Sequence, residues 1–203
     1  MDSTTISKEN PLLLASASPR RQRLLEQVGL PFLLLPSNVE ESLTGPDPSA
    51  STLILAERKA RSSPDHPERH WVLGADTIVV LDNTAIGKPR DQQGAMTMLL
   101  SLSGKEHKVI TGFCLIDPSA RLAHAETVET LVCFKTLTEE EIKAYVATGE
   151  PFGKAGGYAI QGIGAFMVEG IRGSYTNVVG LPMCALIKAL LAAGALKTFP
   201  FPS

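Results

Sequence analysis

The segment Ser16-Ala17-Ser18-Pro19-Arg20-Arg21 joins two hydroxyls, a proline and two adjacent guanidiniums. Ser18 before Pro19 reads as a helix N-cap followed by the proline favoured at the first helical position. Arg20 and Arg21 then fall in the first turn, with Arg23 close behind. The positive end of a helix dipole disfavours cations there, and a start tuned for stability alone would carry Asp or Glu. Free backbone N–H groups, the hydroxyls of Ser16 and Ser18 and the two guanidiniums make a cradle for a phosphate-like anion. The plainer alternative is a solvated charged face on an amphipathic helix.

Other residues suit the same anion. Asp76 follows Gly74-Ala75 and breaks an apolar run at the end of a predicted strand, where α/β folds place ligands. It can hold a divalent cation or take a proton from attacking water; equally, it can cap its own backbone in a turn. Thr77 can donate to a ligand or serve as a β-branched strand residue. Glu40-Glu41 can add a metal ligand, or be solvated surface charge. Lys59 and Lys88 stand alone, the second held between Gly87 and Pro89. In residues 154–162 the glycines let backbone approach a ligand closely, and Gln161 carries the donor and acceptor needed to read a base edge. A loop with a hairpin is the alternative there.

Several chemistries are excluded by inspection. No G-x-x-x-x-G-K-[ST] phosphate loop exists, because Gly153-Lys154 is followed by Ala155. No G-x-S-x-G nucleophile elbow occurs. No H-E-x-x-H zinc motif occurs, and the histidines at 66, 70, 107 and 124 read as solvated or structural. Cys114, Cys133 and Cys184 lie far apart among apolar neighbours, the pattern of buried small hydrophobes in a reducing compartment.

The elements that must position these groups follow from periodicity and punctuation. Residues 11–15 and 32–35 read as strands around a helix from Pro19 that Gly29 stops. Asp47-Pro48 opens a helix with Leu53, Ala56 and Ala60 on one side, and Asp91 caps another, closed by Gly104. Residues 71–73 and 78–81 are apolar runs separated by 74–77, and Asp82-Asn83 suits a hairpin turn. Residues 109–116 and 122–134 read as long strands. Thr138 with Glu141 is a capping box for a helix that buries Ile142, Tyr145 and Val146 and ends at Gly149. Residues 158–160 and 166–168 are short strand candidates, and Pro182 starts a last helix. The sum is an α/β fold on a mixed sheet flanked by helices, as one compact unit or two lobes sharing a core. Residues 1–10 read as a flexible extension, 11–197 as one catalytic domain and 198–203 as a tail.

The chain has 203 residues, 44 % hydrophobic and 20 % charged, with a net charge of −2. That is an ordinary globule with no general affinity for nucleic acid or an anionic membrane. Only 5 % of residues are aromatic, which weakens a nucleic-acid partner further. No signal pattern and no membrane-spanning apolar run appear, so a cytoplasmic home is expected.

Taken in order, Leu14 to Arg21, Glu40-Glu41, Lys59, Gly74 to Val79, Lys88-Pro89 with Asp91, Leu102 to Gly104, Lys154 to Gly162 and Asn177 to Pro182 resemble the Maf family of nucleoside triphosphate pyrophosphatases over nearly the whole chain. Each motif is weak alone; the ordered set is specific. The resemblance implies a Maf or inosine-triphosphatase-like fold and cleavage between the α- and β-phosphates, with Mg²⁺ or Mn²⁺ as cofactor. It implies Asp76 as general base or metal-linked carboxylate, Glu41 as metal ligand, and Arg20, Arg21, Lys59 and Lys88 as phosphate contacts, beside Ser16. Arg20, Thr77 and Gln161 resemble the subgroup acting on dTTP and UTP, with modified pyrimidine triphosphates as further substrates; the sister subgroup acting on 7-methyl-GTP departs at these three places. A homodimer is expected on family grounds only. Gly153 and Gly87 stand where many relatives carry an acidic residue, which implies weaker metal affinity or a shifted pH optimum. The competing class is a non-catalytic nucleotide-binding regulator, since the family is linked to inhibition of septum formation.

Overall fold

A computed structural model describes residues 4–35, 37, 39–40, 47–62 and 70–201. In chain order come β1 (Leu12–Leu14), α1 (Pro19–Gln27), β2 (Phe32–Leu34), α2 (Pro48–Arg61), β3 (Val72–Leu81), β4 (Thr84–Ile86), α3 (Gln92–Leu102), β5 (Glu106–Ile116), β6 (Leu122–Phe134), α4 (Glu139–Ala147), β7 (Val168–Arg172), α5 (Tyr175–Val179) and α6 (Met183–Ala192). Short 3-10 turns occupy Ala155–Gly157 and Ile163–Met167. The strands form a seven-stranded sheet in the order β2-β1-β3-β5-β6-β7, with β4 on β3. β1 is parallel to β2 and β3, whereas the β3/β4 and β6/β7 pairs are antiparallel. The mixed α/β sheet expected from the sequence is therefore present. Among the described residues, no helix is long and apolar enough to cross a membrane.

Two compact units partition the chain. The first comprises Met1–Asp76, Thr111–Val128 and Gly180–Ser203. Its core includes Leu13, Ala15, Ala56, Ala60, Val72, Cys114 and Ile116. Ile6 is buried here and its N–H reaches Ala195 O at 2.9 Å, while Trp71 Nε1 donates to Thr4 O at 2.8 Å. In this unit α2 lies directly on the sheet. A Cβ on Gly74 of β3 would sit 2.0 Å from Ala56 O, and one on Gly112 of β5 would sit 2.7 Å from Thr52. Both strands therefore need glycine where the helix crosses.

The second unit comprises Thr77–Ile110 and Glu129–Val179. Its core gathers Leu99 and Leu102 of α3, Phe134 of β6, Ile142, Tyr145 and Val146 of α4, and Tyr158. The β3–β4 turn is Asp82-Asn83, both at positive φ (49° and 61°), as a tight hairpin requires.

Local chemistry accounts for most helix starts. Asp47 accepts the Ser49 N–H at 2.9 Å, Asp91 accepts the Gly94 N–H at 2.7 Å, and Thr138 and Glu141 form the full capping box. α1 and α6 lack a side-chain cap: Ser18 makes no capping bond, and Pro182 before α6 makes none.

Four expectations are corrected. Residues 74–77 do not interrupt the strand: β3 runs unbroken through them, since an extended backbone needs only room, and Gly74 provides it under α2. Residues 158–160 form no strand; they follow a 3-10 turn containing Gly156 and Gly157 at positive φ, and the later strand starts at Val168 rather than 166. Leu53 is only half-buried, and Ser51, Thr52, Leu55 and Lys59 join Ala56 and Ala60 on the inner face of α2. Cys114 is buried, its thiol pushed up to about 12 by burial, but Cys133 is half-buried and Cys184 is exposed near the start of α6. Apolar flanking residues do not say which face of a helix a cysteine takes.

Candidate active site

The first unit assembles most of the candidate groups on its parallel strands. Leu14 of β1 is in register with Leu73 of β3. Ser16 lies two residues beyond that pair on one strand and Asp76 three beyond it on the other. Both therefore sit past the carboxyl end of the parallel pairing, the ligand position of an open α/β sheet. Asp76 is mid-strand, not at a strand end, yet β3 outruns β1, so the reasoning that singled it out still reaches the right end of the pairing.

Asp76 and Gly74 share one face of β3, because alternate strand residues point the same way. α2 crosses that face at Gly74 through Ala56 and Ala60, which places Lys59 beside Asp76. The Lys59 Nζ donates to Asp76 Oδ1 at 2.7 Å, with both residues buried. Removing one member of a buried ion pair costs about 3–5 kcal/mol, since the survivor keeps its desolvation penalty.

The α1 start holds the rest of this unit's set. Arg21 is buried; its Nε donates to Gly180 O at 2.8 Å and its Nη1 to Ser16 Oγ at 2.9 Å. Part of the expected phosphate-binding guanidinium is thus committed to fixing Ser16. Ser16 Oγ also accepts the Ser18 N–H at 3.3 Å, so its own proton is left to donate outward. Arg20 is half-buried, and its guanidinium makes no hydrogen bond or ion pair among the described residues. Burial lowers its pKa from the ordinary value while leaving it a cation. Glu40 is exposed, and Glu41 lies outside the described residues. Among the described residues no three His, Cys, Asp or Glu side chains converge as a metal cage.

In the second unit, Thr77 is half-buried next along β3 from Asp76, and Lys88 is exposed after Gly87, whose carbonyl accepts the Gly156 N–H at 2.9 Å. Gln161 is exposed on the turn 159–162. His107 is buried between Phe134 and Tyr158; burial depresses its pKa to about 4, so it is a neutral structural group, as expected. The sequence treated Lys59 as an isolated cation. Its place next to Ala60 and three residues after Ala56, on the inward face of the helix, was the available signal. Glu150 carries no local signal, because the Ile163 and Gly164 amides that it accepts from are distant in sequence.

The family model described as "Maf-like protein" matches residues 11–193. A protein of Syntrophotalea carbinolica named "dTTP/UTP pyrophosphatase" is 50% identical over 94% of this chain and 88% of its own length. One of Geobacter sp. (strain M21) with the same name is 51% identical over 93% of this chain and 98% of its own. A solved nucleoside-triphosphatase (dITP/XTP pyrophosphatase) of Mycobacterium abscessus aligns over 92% of this chain and 97% of its own, with 15% identity and a TM-score of 0.40.

Proposed function

The chain belongs to the Maf-like protein family, and on that premise we propose that it hydrolyses dTTP and UTP, and related pyrimidine triphosphates, to the nucleoside monophosphate and pyrophosphate. The observation that carries the chemistry is the buried Lys59–Asp76 pair in the unit that also presents the uncapped, basic start of α1. A pure nucleotide binder has no need of a fixed carboxylate beside its anion cradle.

In this reading Arg20, the Ser16 hydroxyl and the first N–H groups of α1 take phosphate oxygens. Arg21 holds Ser16 in place and adds its charge. Lys59 engages Oδ1 of Asp76, so Oδ2 takes the proton as a water oxygen bonds to phosphorus. That phosphorus is the α-phosphorus: its bond to the α–β bridging oxygen breaks, and pyrophosphate leaves with the electron pair. On the family's pattern alone, Lys88 contributes charge to the phosphates, while Thr77 and Gln161 bear on base choice. Mg²⁺ is commonly held by one or two carboxylates plus substrate phosphates rather than by a protein cage. Asp76, with no acidic cluster around it among the described residues, fits a cation that arrives with the nucleotide. Asp76 would hold it, with Glu41 as a second ligand on the family's pattern, and it would neutralise phosphate charge. The reading places the enzyme in the cytoplasm, as a homodimer, on the family's account alone.

The test incubates the protein with Mg²⁺ and a panel of nucleoside triphosphates and measures pyrophosphate and monophosphate. Both should appear in equal amounts; orthophosphate with diphosphate would overturn α–β cleavage. Asp76→Asn should lower turnover about 10³-fold with nucleotide binding largely kept. A thermal melt checks that this variant folds, because Lys59 loses the Asp76 carboxylate. Unchanged turnover would remove Asp76 from the mechanism.

A further inference from the structure

Gln161 is exposed, yet the backbone on both sides of it is fastened to the interior of the second unit. On one side, Tyr158 is buried with its Oη 2.8 Å from His107 Nε2, and its ring packs edge-on against Phe134. The turn then closes with the Gly162 N–H donating to Ala159 O at 3.2 Å. On the other side stands Glu150. Its Oε2 accepts the Ile163 N–H at 3.0 Å, and its Oε1 accepts the Gly164 N–H at 2.8 Å. These amides open the 3-10 turn Ile163–Met167, where a carboxylate is electrostatically favoured. Tyr145 of α4 donates its hydroxyl to the same Oε1 at 2.9 Å, tying the carboxylate to the core. Gly162 completes the fit: a Cβ there would sit 2.1 Å from Glu150 Oε2. Burial raises the Glu150 pKa, but the Gly164 and Ile163 amides and the Tyr145 hydroxyl outweigh it and hold the carboxyl below its usual range.

A glutamine amide discriminates between base edges only if its donor and acceptor are held in one orientation, and a free turn forfeits that advantage to conformational entropy. We infer that Glu150 is a positioning residue for base selection, its carboxylate clamping the Ile163 and Gly164 amides so that the turn presents Gln161 in one orientation. The inference rests on the reading of Gln161 as a base contact.

The experiment compares dTTP with dCTP, which share a sugar and differ at the base edge. Glu150→Gln keeps the side-chain shape but puts an amide donor against two N–H groups. It should lower the dTTP/dCTP ratio of kcat/KM about tenfold, mainly through the KM for dTTP, with kcat changing less than about threefold. In a Gln161→Ala background the same substitution should leave the ratio unmoved. If Gln161→Ala alone leaves the ratio intact, the base-contact reading fails and the inference falls with it. If Gln161→Ala collapses the ratio and folded Glu150→Gln preserves it, only the inference is overturned. Should Glu150→Gln not fold, Tyr145→Phe removes one anchor of the carboxylate and should lower the ratio about threefold; an unchanged ratio there also overturns the inference.

Discussion

α4 opens on Thr138 with a reciprocal capping box and carries Glu139, Glu140 and Glu141 in its first turn, whereas α1, of the same length, opens on a Ser18 that caps nothing and carries Arg20 and Arg21. The two starts give opposite answers to one electrostatic question. At α4 the dipole and the unpaired amides are satisfied from within the chain. At α1 the charges oppose the dipole, and Ser16 accepts from Arg21 and from the Ser18 N–H instead of capping the helix. A local choice that lowers stability marks a place selected for something else. The contrast separates a helix start satisfied from within the chain from one that its own first turn leaves uncapped and basic.

The contrast breaks most sharply if α1 is given what α4 has. Ser18→Asp should cap α1 and raise stability by about 1 kcal/mol. The new carboxylate would face the bound phosphates, and two like charges about 5 Å apart repel by roughly 3 kcal/mol at an effective dielectric of 20. The kcat/KM for dTTP should therefore fall about 10²-fold while the melting temperature rises. A more stable enzyme with unaltered kcat/KM would show that α1 holds no anion.

The reverse change at α4 should be felt only by the fold. Thr138→Ala removes the bond to the Glu141 N–H, which measures 3.2 Å. The expected loss is about 1 kcal/mol, or a melting temperature lower by roughly 2–4 °C for a chain of this size. The kcat/KM should stay within about twofold of the parent. A large kinetic effect would mean that α4 serves more than the fold.

Both helix starts were legible in the sequence because their determinants are local: a cap residue, a proline or a glutamate within one turn. The long strands and the Asp82-Asn83 hairpin were legible for the same reason. What escaped was set by distant partners. Lys59 meets Asp76 only because Gly74 lets α2 lie on β3, so a lysine that looked isolated is paired with the candidate carboxylate. Residues 158–160 have strand-like composition, but Tyr158 is held by His107 across the second unit and the preceding glycines turn the chain at positive φ. Glu150 gave no signal, since backbone amides thirteen and fourteen residues away define its role. Glu41 lies outside the described residues, so its assignment as a metal ligand rests where the sequence left it.

The smallest expected effect separates the two starts by pH. Glu141 is held below the usual carboxylate range first by the Lys135 ammonium and then by the Thr138 N–H. A carboxylate whose folded pKa is depressed stabilises the fold above its unfolded value of about 4.3, and that contribution is lost as pH falls through the folded pKa. Glu141→Gln should therefore melt slightly below the parent at pH 7. The gap should begin to close as the pH falls below the unfolded value of about 4.3 and vanish once it passes the lower folded pKa, where the parent's carboxyl takes up its proton. α1 has no acidic residue in its first turn, so no such term arises there. The same titration of Glu141→Gln in a Ser18→Asp background should show a new acid-labile increment from the introduced cap. A gap between parent and Glu141→Gln that persists unchanged into acid would mean that the α4 start owes its stability to shape and not to charge.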